Sequence, residues 1–184
     1  MNKPIGIFDS GIGGLSILNS LSQTFPKENF IYLADNKNCP YGKKSSKEIT
    51  ALSVKNGNTL IELDCKMIII ACNTATTNSV EHLRKLISIP IIGIEPGIKP
   101  AINYTKTNNI GILATEKTLE SKLFLKTFLS NKTDKVKIHE QIGHGLVNKI
   151  ENGAEMSLIK KDLIKYLNAM LYKNIDCLVL GCTH

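Results

Sequence analysis

Two cysteines of the chain lie where a thiol could transfer protons. Cys72 follows the apolar run IIIA (68–71), and Cys182 follows the apolar run LVLG (178–181). Short apolar runs of this kind are typical of buried parallel strands, and the working residues of open α/β sheets collect where such strands end. If the two runs belong to sheets that face each other, the two thiols approach one cleft from opposite sides.

Two opposed thiols suit the inversion of a carbon atom that carries an acidic hydrogen. One thiolate removes the proton from one face, the other thiol returns a proton to the opposite face, and the two groups exchange roles. An unperturbed thiol has a pKa of about 8.5, so the N-terminus of a helix predicted after Cys72 makes its thiolate accessible near neutral pH. A single buried cysteine is usually structural, but this matched pair, followed by Asn-Thr and Thr-His, favours the chemistry.

Polar residues beside the two thiols are suited to a small zwitterion with acidic groups. Asp9 and His184 are the natural proton-managing neighbours. Hydroxyls, side-chain amides and backbone amides at helix starts bind carboxylates well. Such groups adjoin each cysteine: Asn73, Thr74 and Thr183. The glycines of DSGIGG (9–14) let the backbone approach a ligand closely, but their spacing is not the dinucleotide fingerprint, so NAD is not expected.

The polar segment ADNKNCPYGKKS (34–45) allows two interpretations. Its composition is equally compatible with a lid over the cleft, with Tyr41 and Gly42 reaching the ligand, and with an ordinary solvent-exposed loop. Cys39 within it has no assigned role. The cysteines elsewhere are spaced C-x6-C and C-x4-C, which does not match zinc-binding pairs, so no metal or other cofactor is predicted.

The bulk composition excludes several classes of protein. The formal charge is +7, but Arg84 is the single arginine among 23 basic residues, so we expect a lysine-rich surface rather than a nucleic-acid site. No apolar run approaches the roughly 18–20 residues of a membrane span, and the N-terminus lacks the features of a secretion signal. Five cysteines, an odd number, indicate thiols in a reducing compartment, so a cytoplasmic location is predicted.

Short apolar runs alternate with helical patterns along the whole chain. The predicted strands are 4–8, 29–33, 66–71, 90–94, 109–113, 135–140 and 175–181. The predicted helices are 14–24, 46–63, 76–87, 116–129 and 155–172. Strands that are apolar on both faces and alternate with helices predict an α/β fold, with parallel sheets covered by helices on both faces.

Two pairs of segments predict that the chain contains two similar halves. IGIFDSG (5–11) matches IGILATE (110–116) at an offset of 105, and IIIACNT (68–74) matches LVLGCTH (178–184) at an offset of 110. We therefore predict pseudo-symmetric domains at 1–97 and 98–184, joined near EPGIKP. The second half lacks the helix that follows Cys72 in the first, so we expect a truncated second domain; the alternative is a natural ending at a frayed edge strand.

Four motifs together resemble the glutamate racemase family. They are FDSGIGG (8–14), YLADNKNCPYGKKS (32–45), ACNTAT (71–76) and LGCTH (180–184), and the likeness extends from residue 5 to residue 184. The resemblance implies cofactor-independent interconversion of L- and D-glutamate, which supplies D-glutamate for peptidoglycan and so for cell-wall biogenesis and cell shape. The ending GCTH favours glutamate, because the similar aspartate racemases usually have GCTE there.

Carried over by position, the resemblance implies roles for individual residues. Cys72 would handle the α-proton of D-glutamate and Cys182 that of L-glutamate, with Asp9 and His184 assisting them. The residues implied to surround the substrate are Asp9, Ser10, Tyr41, Gly42, Asn73, Thr74, Thr183 and His184. Glu151 occupies the place of an acidic residue that often lines the cleft. Gly143-His144 stands where the family commonly has a Cys-Pro-like pair.

The resemblance also bears on length, assembly and the alternatives. Family members continue well past the second cysteine and form homodimers, so we expect an active full-length protein and little or no racemase activity from the 184-residue chain alone. One alternative is a racemase of aspartate or another acidic amino acid. Another is a non-catalytic paralogue that binds an acidic ligand or a partner protein, although the retention of both cysteines, Asp9 and His184 argues against it.

Overall fold

The computed structural model describes residues 3–131 and 135–184, which form two compact units. The first unit ends at Glu95 and the second begins at Pro96. Each unit contains its own parallel β-sheet and its own hydrophobic cores. The predicted α/β fold with two parallel sheets is confirmed. No helix in the described part of the chain is both long and apolar enough to cross a membrane.

The first unit is a four-stranded parallel sheet in the order β2-β1-β3-β4. Its strands are β1 (Ile5–Asp9), β2 (Phe30–Ala34), β3 (Met67–Ile70) and β4 (Ile91–Gly93). The helices that connect them are α1 (Leu15–Thr24), α2 (Ser46–Glu62) and α3 (Asn73–Leu86). Because β1 pairs with strands on both sides, it is buried throughout, and its carboxyl end lies at the centre of the sheet edge.

Alternating side chains of β1 and β3 build a core on each face of the first sheet. Ile7 and Ile69 belong to one cluster, on which α1 packs through Ile17, Leu18 and Leu21. On the other face, a Cβ at Gly6 would lie within 3.0 Å of the Leu60 side chain, which places α2 directly against β1. Each fully buried aliphatic side chain contributes about 1.5–3 kcal/mol, so these two layers hold the strand ends in place.

The second unit is a three-stranded parallel sheet in the order β6-β5-β7. Its strands are β5 (Asn109–Ala114), β6 (Lys137–Ile142) and β7 (Cys177–Gly181). Its helices are α4 (Ile98–Tyr104), α5 (Glu116–Leu119), α6 (Lys122–Asn131), α7 (Leu146–Glu151) and α8 (Met156–Leu171). One core cluster joins β5 to α4 and α6 through Ile98, Ile112 and Phe124, and another joins β5 to α7 and α8 through Leu113 and Tyr166.

The seven predicted strands are all present, whereas two of the predicted helices are partly wrong. The helix predicted at 76–87 begins one turn earlier, at Asn73, because the Cys72 thiol caps it. The single helix predicted at 116–129 is two helices. The second of these starts afresh because the Ser121 hydroxyl accepts from the Phe124 amide at 3.2 Å and donates to the Thr118 carbonyl at 2.7 Å.

Two short helices, α4 and α7, were not predicted. The prolines and glycine around α4 are typical of a linker. However, Pro100 lies in the first turn of the helix, where backbone N–H groups have no partner within the helix, so the N–H that proline lacks is not needed there. A glycine at φ 78°, Gly145, precedes α7. Since α7 is only 6 residues long, its apolar pattern is too short to show helical periodicity.

Candidate active site

The loop after β1 holds Asp9 and Ser10 at the carboxyl edge of the first sheet. Asp9 is fully buried, and its Oδ2 accepts a hydrogen bond from the Gly11 amide at 3.1 Å. A Cβ at Gly14 would lie 2.8 Å from the Asp9 Cβ and 2.9 Å from the Ala71 Cβ. The glycine is therefore required for the loop to fold closely over the strand ends, which fixes the buried carboxylate.

Cys72 occupies the N-cap position of α3, directly after β3. Its sulfur accepts from the Ala75 amide at 3.4 Å, and its thiol donates to the Ser10 hydroxyl at 3.6 Å. A helix N-terminus carries partial positive charge, and both the amide and the serine hydroxyl can donate to a sulfur anion. The position predicted for a reactive thiol is thus one where a thiolate is stabilised.

Asn73 and Thr74 form the first turn of α3 beside this thiol, and both are buried. The Asn73 side-chain amide donates to the Ile94 carbonyl at 3.3 Å, which ties the start of α3 to the end of β4. The Thr74 carbonyl accepts from the Asn78 side chain at 2.9 Å. Both residues therefore lie next to Cys72 as predicted, and Asn73 also holds the sheet edge together.

Tyr41 and Gly42 belong to a short 3-10 turn, Tyr41–Lys43, in the polar segment 34–45. Tyr41 is only 1% exposed, so this part of the segment is packed rather than solvent-exposed. Its phenol donates to the carboxylate of Asp35 and accepts from the amide of Asn56. Burial and the hydrogen bond to Asp35 raise the pKa of Tyr41 well above its ordinary value. Asp35 and Asn56 were not predicted from the sequence as partners of Tyr41.

In the second unit, Cys182 and His184 follow β7. The Cys182 sulfur lies 3.9 Å from the His184 Nδ1, and the His184 Nε2 contacts the Glu151 carboxylate at the end of α7. The His184 side chain is only 2% exposed. A carboxylate that orients an imidazole beside a nucleophilic or acidic group is a recurring arrangement for moving protons. Cys182 and His184, both predicted site residues, therefore lie in contact, and Glu151 holds the imidazole.

The role of Glu151 was not predicted from the sequence. The residue was noted only as the counterpart of an acidic residue in the family's cleft. Its contact with His184 joins positions 151 and 184. The contact depends on α7, which is too short to be predicted from helical periodicity. Thr183 lies between the two predicted proton-transfer residues of this unit.

A cavity of about 320 Å³ in the second unit borders this cysteine and histidine. Its other lining residues are Leu113, Ala114, Thr115, Gly143, Leu146, Val147, Leu163, Leu167, Leu178 and Leu180. That lining is almost wholly apolar and offers no counter-charge for an amino acid. Within residues 3–131 and 135–184, no group of three or more histidine, cysteine or acidic side chains is placed to hold a metal ion.

Two units with parallel sheets, each with polar residues and a cysteine directly after a strand, define the class as a two-unit α/β protein with a thiol at a strand end of each unit. The chain belongs to the Asp/Glu/Hydantoin racemase family, whose sequence model matches residues 5–184.

Glutamate racemases are among its most similar relatives. The one from Ralstonia pickettii is 44% identical over 182 residues, an alignment that covers 98% of this chain. The chain spans 64% of the length of that relative, slightly less than two thirds.

Solved structures of glutamate racemases also match this fold. The Escherichia coli enzyme, in complex with L-glutamate and the activator UDP-MurNAc-ala, matches with a TM-score of 0.85 and 30% identity over 99% of this chain and 70% of its own. The Francisella tularensis enzyme, in complex with D-glutamate, matches with a TM-score of 0.84 and 32% identity over 100% of this chain and 69% of its own.

Proposed function

We propose that the protein interconverts L-glutamate and D-glutamate by proton transfer between two cysteines, without a cofactor. The observation that carries the proposal is that Cys72 and Cys182 follow corresponding strands and that each has its own hydrogen-bond partners. The names of the relatives support glutamate as the substrate, and the two matched structures hold one enantiomer each.

The proposed reaction starts from D-glutamate with removal of the α-proton. The Cys72 thiolate takes this proton, and the electron pair of the broken C–H bond delocalises onto the substrate carboxylate. The Cys182 thiol then delivers its proton to the opposite face of the α-carbon, which yields L-glutamate. Cys72 ends as a thiol and Cys182 as a thiolate, so the reverse reaction starts from the state that the forward reaction leaves.

Acid–base partners of the thiols set their protonation states in this proposal. Asp9 assists Cys72, and His184 assists Cys182 while Glu151 holds its imidazole in place. Polar groups of the first unit, together with Thr183, surround the two carboxylates and the amino group of glutamate. These are Ser10, Tyr41, Gly42, Asn73 and Thr74. A thiolate is stabilised at the N-terminus of α3, so Cys72 is suited to be the base toward D-glutamate.

The wider setting of the proposal combines sequence features with the resemblance to the family. We propose domains at 1–97 and 98–184, a homodimer in the complete protein, a cytoplasmic location, and a supply of D-glutamate to peptidoglycan synthesis. The domain bounds rest on the internal repeat and the linker EPGIKP, and the location rests on the composition. The homodimer and the supply of D-glutamate rest on the family relationship.

The test of the proposed function uses the complete gene product and its cysteine variants. Racemisation of L-glutamate, D-glutamate and L-aspartate is followed by circular dichroism. We expect turnover of both glutamate enantiomers, and a loss of at least about 10²-fold in Cys72→Ala and in Cys182→Ala. The matched controls are Cys65→Ala in the first unit and Cys177→Ala in the second, which should keep full activity.

Three outcomes would contradict the proposal. Binding of glutamate without turnover favours a non-catalytic binding protein. Faster turnover of aspartate assigns a different acidic substrate. Unchanged activity in either of the two alanine variants at positions 72 and 182 removes that cysteine from the reaction.

A further inference from the structure

The Tyr41 phenol is the centre of a buried hydrogen-bond network in the first unit. The Asn56 side-chain amide donates to the phenol oxygen at 3.0 Å, and the phenol donates to the Asp35 carboxylate. The second oxygen of that carboxylate accepts from the Asn38 side chain at 2.8 Å. Tyr41 and Asn56 are 1% and 6% exposed, so the phenol and its amide donor are shielded from water, whereas Asp35 and Asn38 are partly exposed. Buried hydrogen bonds of this kind restrict the side chains that form them.

The network joins three elements that lie next to the candidate site. Asn56 projects from the buried face of α2, between α2 and the turn Tyr41–Lys43. Asp35 directly follows β2, and its backbone amide donates to the carbonyl of Asp9 at 3.0 Å. The turn also contacts α3, which Cys72 caps. The phenol therefore connects α2 to the strand end that carries Asp9.

The phenol must stay protonated for this network to hold. Burial is the largest cause that raises the pKa of Tyr41, followed by the hydrogen bond and the charge of Asp35, and the nearby Cys72 adds a smaller rise. Tyr41 is thus a neutral O–H donor at every pH at which the protein would work. The phenol oxygen makes its two hydrogen bonds to Asp35 and Asn56, so the side chain holds the backbone of the turn Tyr41–Lys43 in place.

We propose that Asn56 is a positioning residue, which holds the Tyr41 phenol and thereby keeps the Tyr41-Gly42 backbone in its substrate-binding arrangement. This inference rests on the proposed function, because it assigns that backbone to the glutamate site. Without the Asn56 amide, the turn populates other arrangements. Substrate binds only the substrate-binding arrangement, so the apparent affinity falls in proportion to the fraction of molecules that still adopt that arrangement.

This reasoning predicts a specific kinetic signature. Asn56→Leu keeps the number and branching of the side-chain heavy atoms but removes the donor. We expect KM to rise for both enantiomers, by at most about fivefold, the limit set by one lost neutral hydrogen bond, while kcat is unchanged. A residue that merely supports the fold would lower the melting temperature without this separation of KM from kcat.

A double-mutant cycle tests whether Asn56 acts through the phenol. Tyr41→Phe, Asn56→Leu and the double variant are compared in the complete gene product. Tyr41→Phe removes both hydrogen bonds of the phenol, including the one from Asn56, so we expect the double variant to show the same KM as Tyr41→Phe alone. Asn58→Leu is the matched control, an exposed asparagine of the same helix, and should leave KM unchanged.

Hydrogen exchange gives a readout that needs no activity. The Lys44 amide donates to the Tyr41 carbonyl at 3.0 Å and closes the turn. We expect this amide to exchange about fivefold faster in Asn56→Leu than in the unsubstituted protein or in Asn58→Leu.

The outcomes separate the positioning role from the proposed function. Additive effects in the cycle, or an unchanged KM together with unchanged Lys44 exchange, overturn the positioning role. An unsubstituted protein that does not racemise glutamate overturns the proposed function instead. The Lys44 exchange then decides the positioning role alone: faster exchange in Asn56→Leu supports it, and equal exchange overturns it.

Discussion

At the scale of single residues, the second-unit site depends on the tautomer of His184. Its Nε2 contacts the Glu151 carboxylate, and its Nδ1 lies 3.9 Å from the Cys182 sulfur. An ionised carboxylate can only accept hydrogen bonds, so Nε2 carries the proton and Nδ1 presents a lone pair to the thiol. In the proposed mechanism, Glu151 thus makes the imidazole a base toward Cys182 and stabilises the imidazolium that forms when the proton is taken.

Substitution of Glu151 tests this arrangement. In Glu151→Gln the amide can donate to Nε2 and so select the wrong tautomer. We expect kcat/KM to fall about 10- to 100-fold, the range for a charge-assisted hydrogen bond. The fall should be equal for both glutamate enantiomers, because the equilibrium constant between enantiomers is unity.

The matched control is Glu155→Gln, an exposed glutamate in the same unit that should leave kcat/KM unchanged. Full activity in Glu151→Gln would show that the imidazole does not need this carboxylate.

At the scale of secondary-structure elements, Asp176 connects the start of β7 to the segment between α4 and β5. Its carboxylate accepts from the Thr105 hydroxyl at 2.5 Å and from the backbone amides of Lys106 and Thr107 at 2.6 and 2.9 Å. The hydrogen bond from Thr105, with those from the two amides, holds the pKa of Asp176 well below its ordinary value. The contact therefore fixes the neighbouring ends of β5 and β7.

This lowered pKa predicts how stability depends on pH. A carboxylate with a depressed pKa in the folded state stabilises the fold above its unfolded pKa of about 4, and that stabilisation is lost as the pH falls. In urea titrations between pH 7 and pH 2.5, we expect the difference in unfolding free energy between the unsubstituted protein and Asp176→Asn to shrink as the pH falls below about 4.

Glu62→Gln is the control, an exposed carboxylate at the end of α2. A difference between the unsubstituted protein and Asp176→Asn that stays constant across this range would contradict the role assigned to the charge.

Most elements could be predicted from the sequence because their signals are local. The strands are apolar runs between turn residues, and ACNT and GCTH follow two of them, so the positions of Cys72 and Cys182 could be predicted as well. The break before α6 could not, because it depends on one capping hydroxyl, that of Ser121. The contacts of Glu151 and Asn56 could not either, since each joins positions that are distant in sequence and its polar partner is visible only after folding.

At the scale of the whole molecule, the internal similarity of the sequence has a counterpart in the two sheets. The matched segments that begin at Ile5 and Ile110 lie on β1 and β5, the central strand of each three-strand set β2-β1-β3 and β6-β5-β7. The segments that contain Cys72 and Cys182 follow β3 and β7, which pair with the central strand on the corresponding side. Each of the two units thus has the same arrangement of strands and supplies one thiol. The proposed reaction needs two such proton-transfer groups.

The most direct test of two thiols acting on opposite faces is the fate of the α-hydrogen in heavy water. L-glutamate is racemised by the complete gene product in D₂O, and both enantiomers are isolated at low conversion for mass spectrometry. Two cysteines predict that nearly all D-glutamate formed carries deuterium at the α-carbon while the remaining L-glutamate keeps its hydrogen. Product that retains the substrate's own hydrogen, or deuterium that enters the remaining L-glutamate as fast as product forms, would indicate a single base and contradict the account.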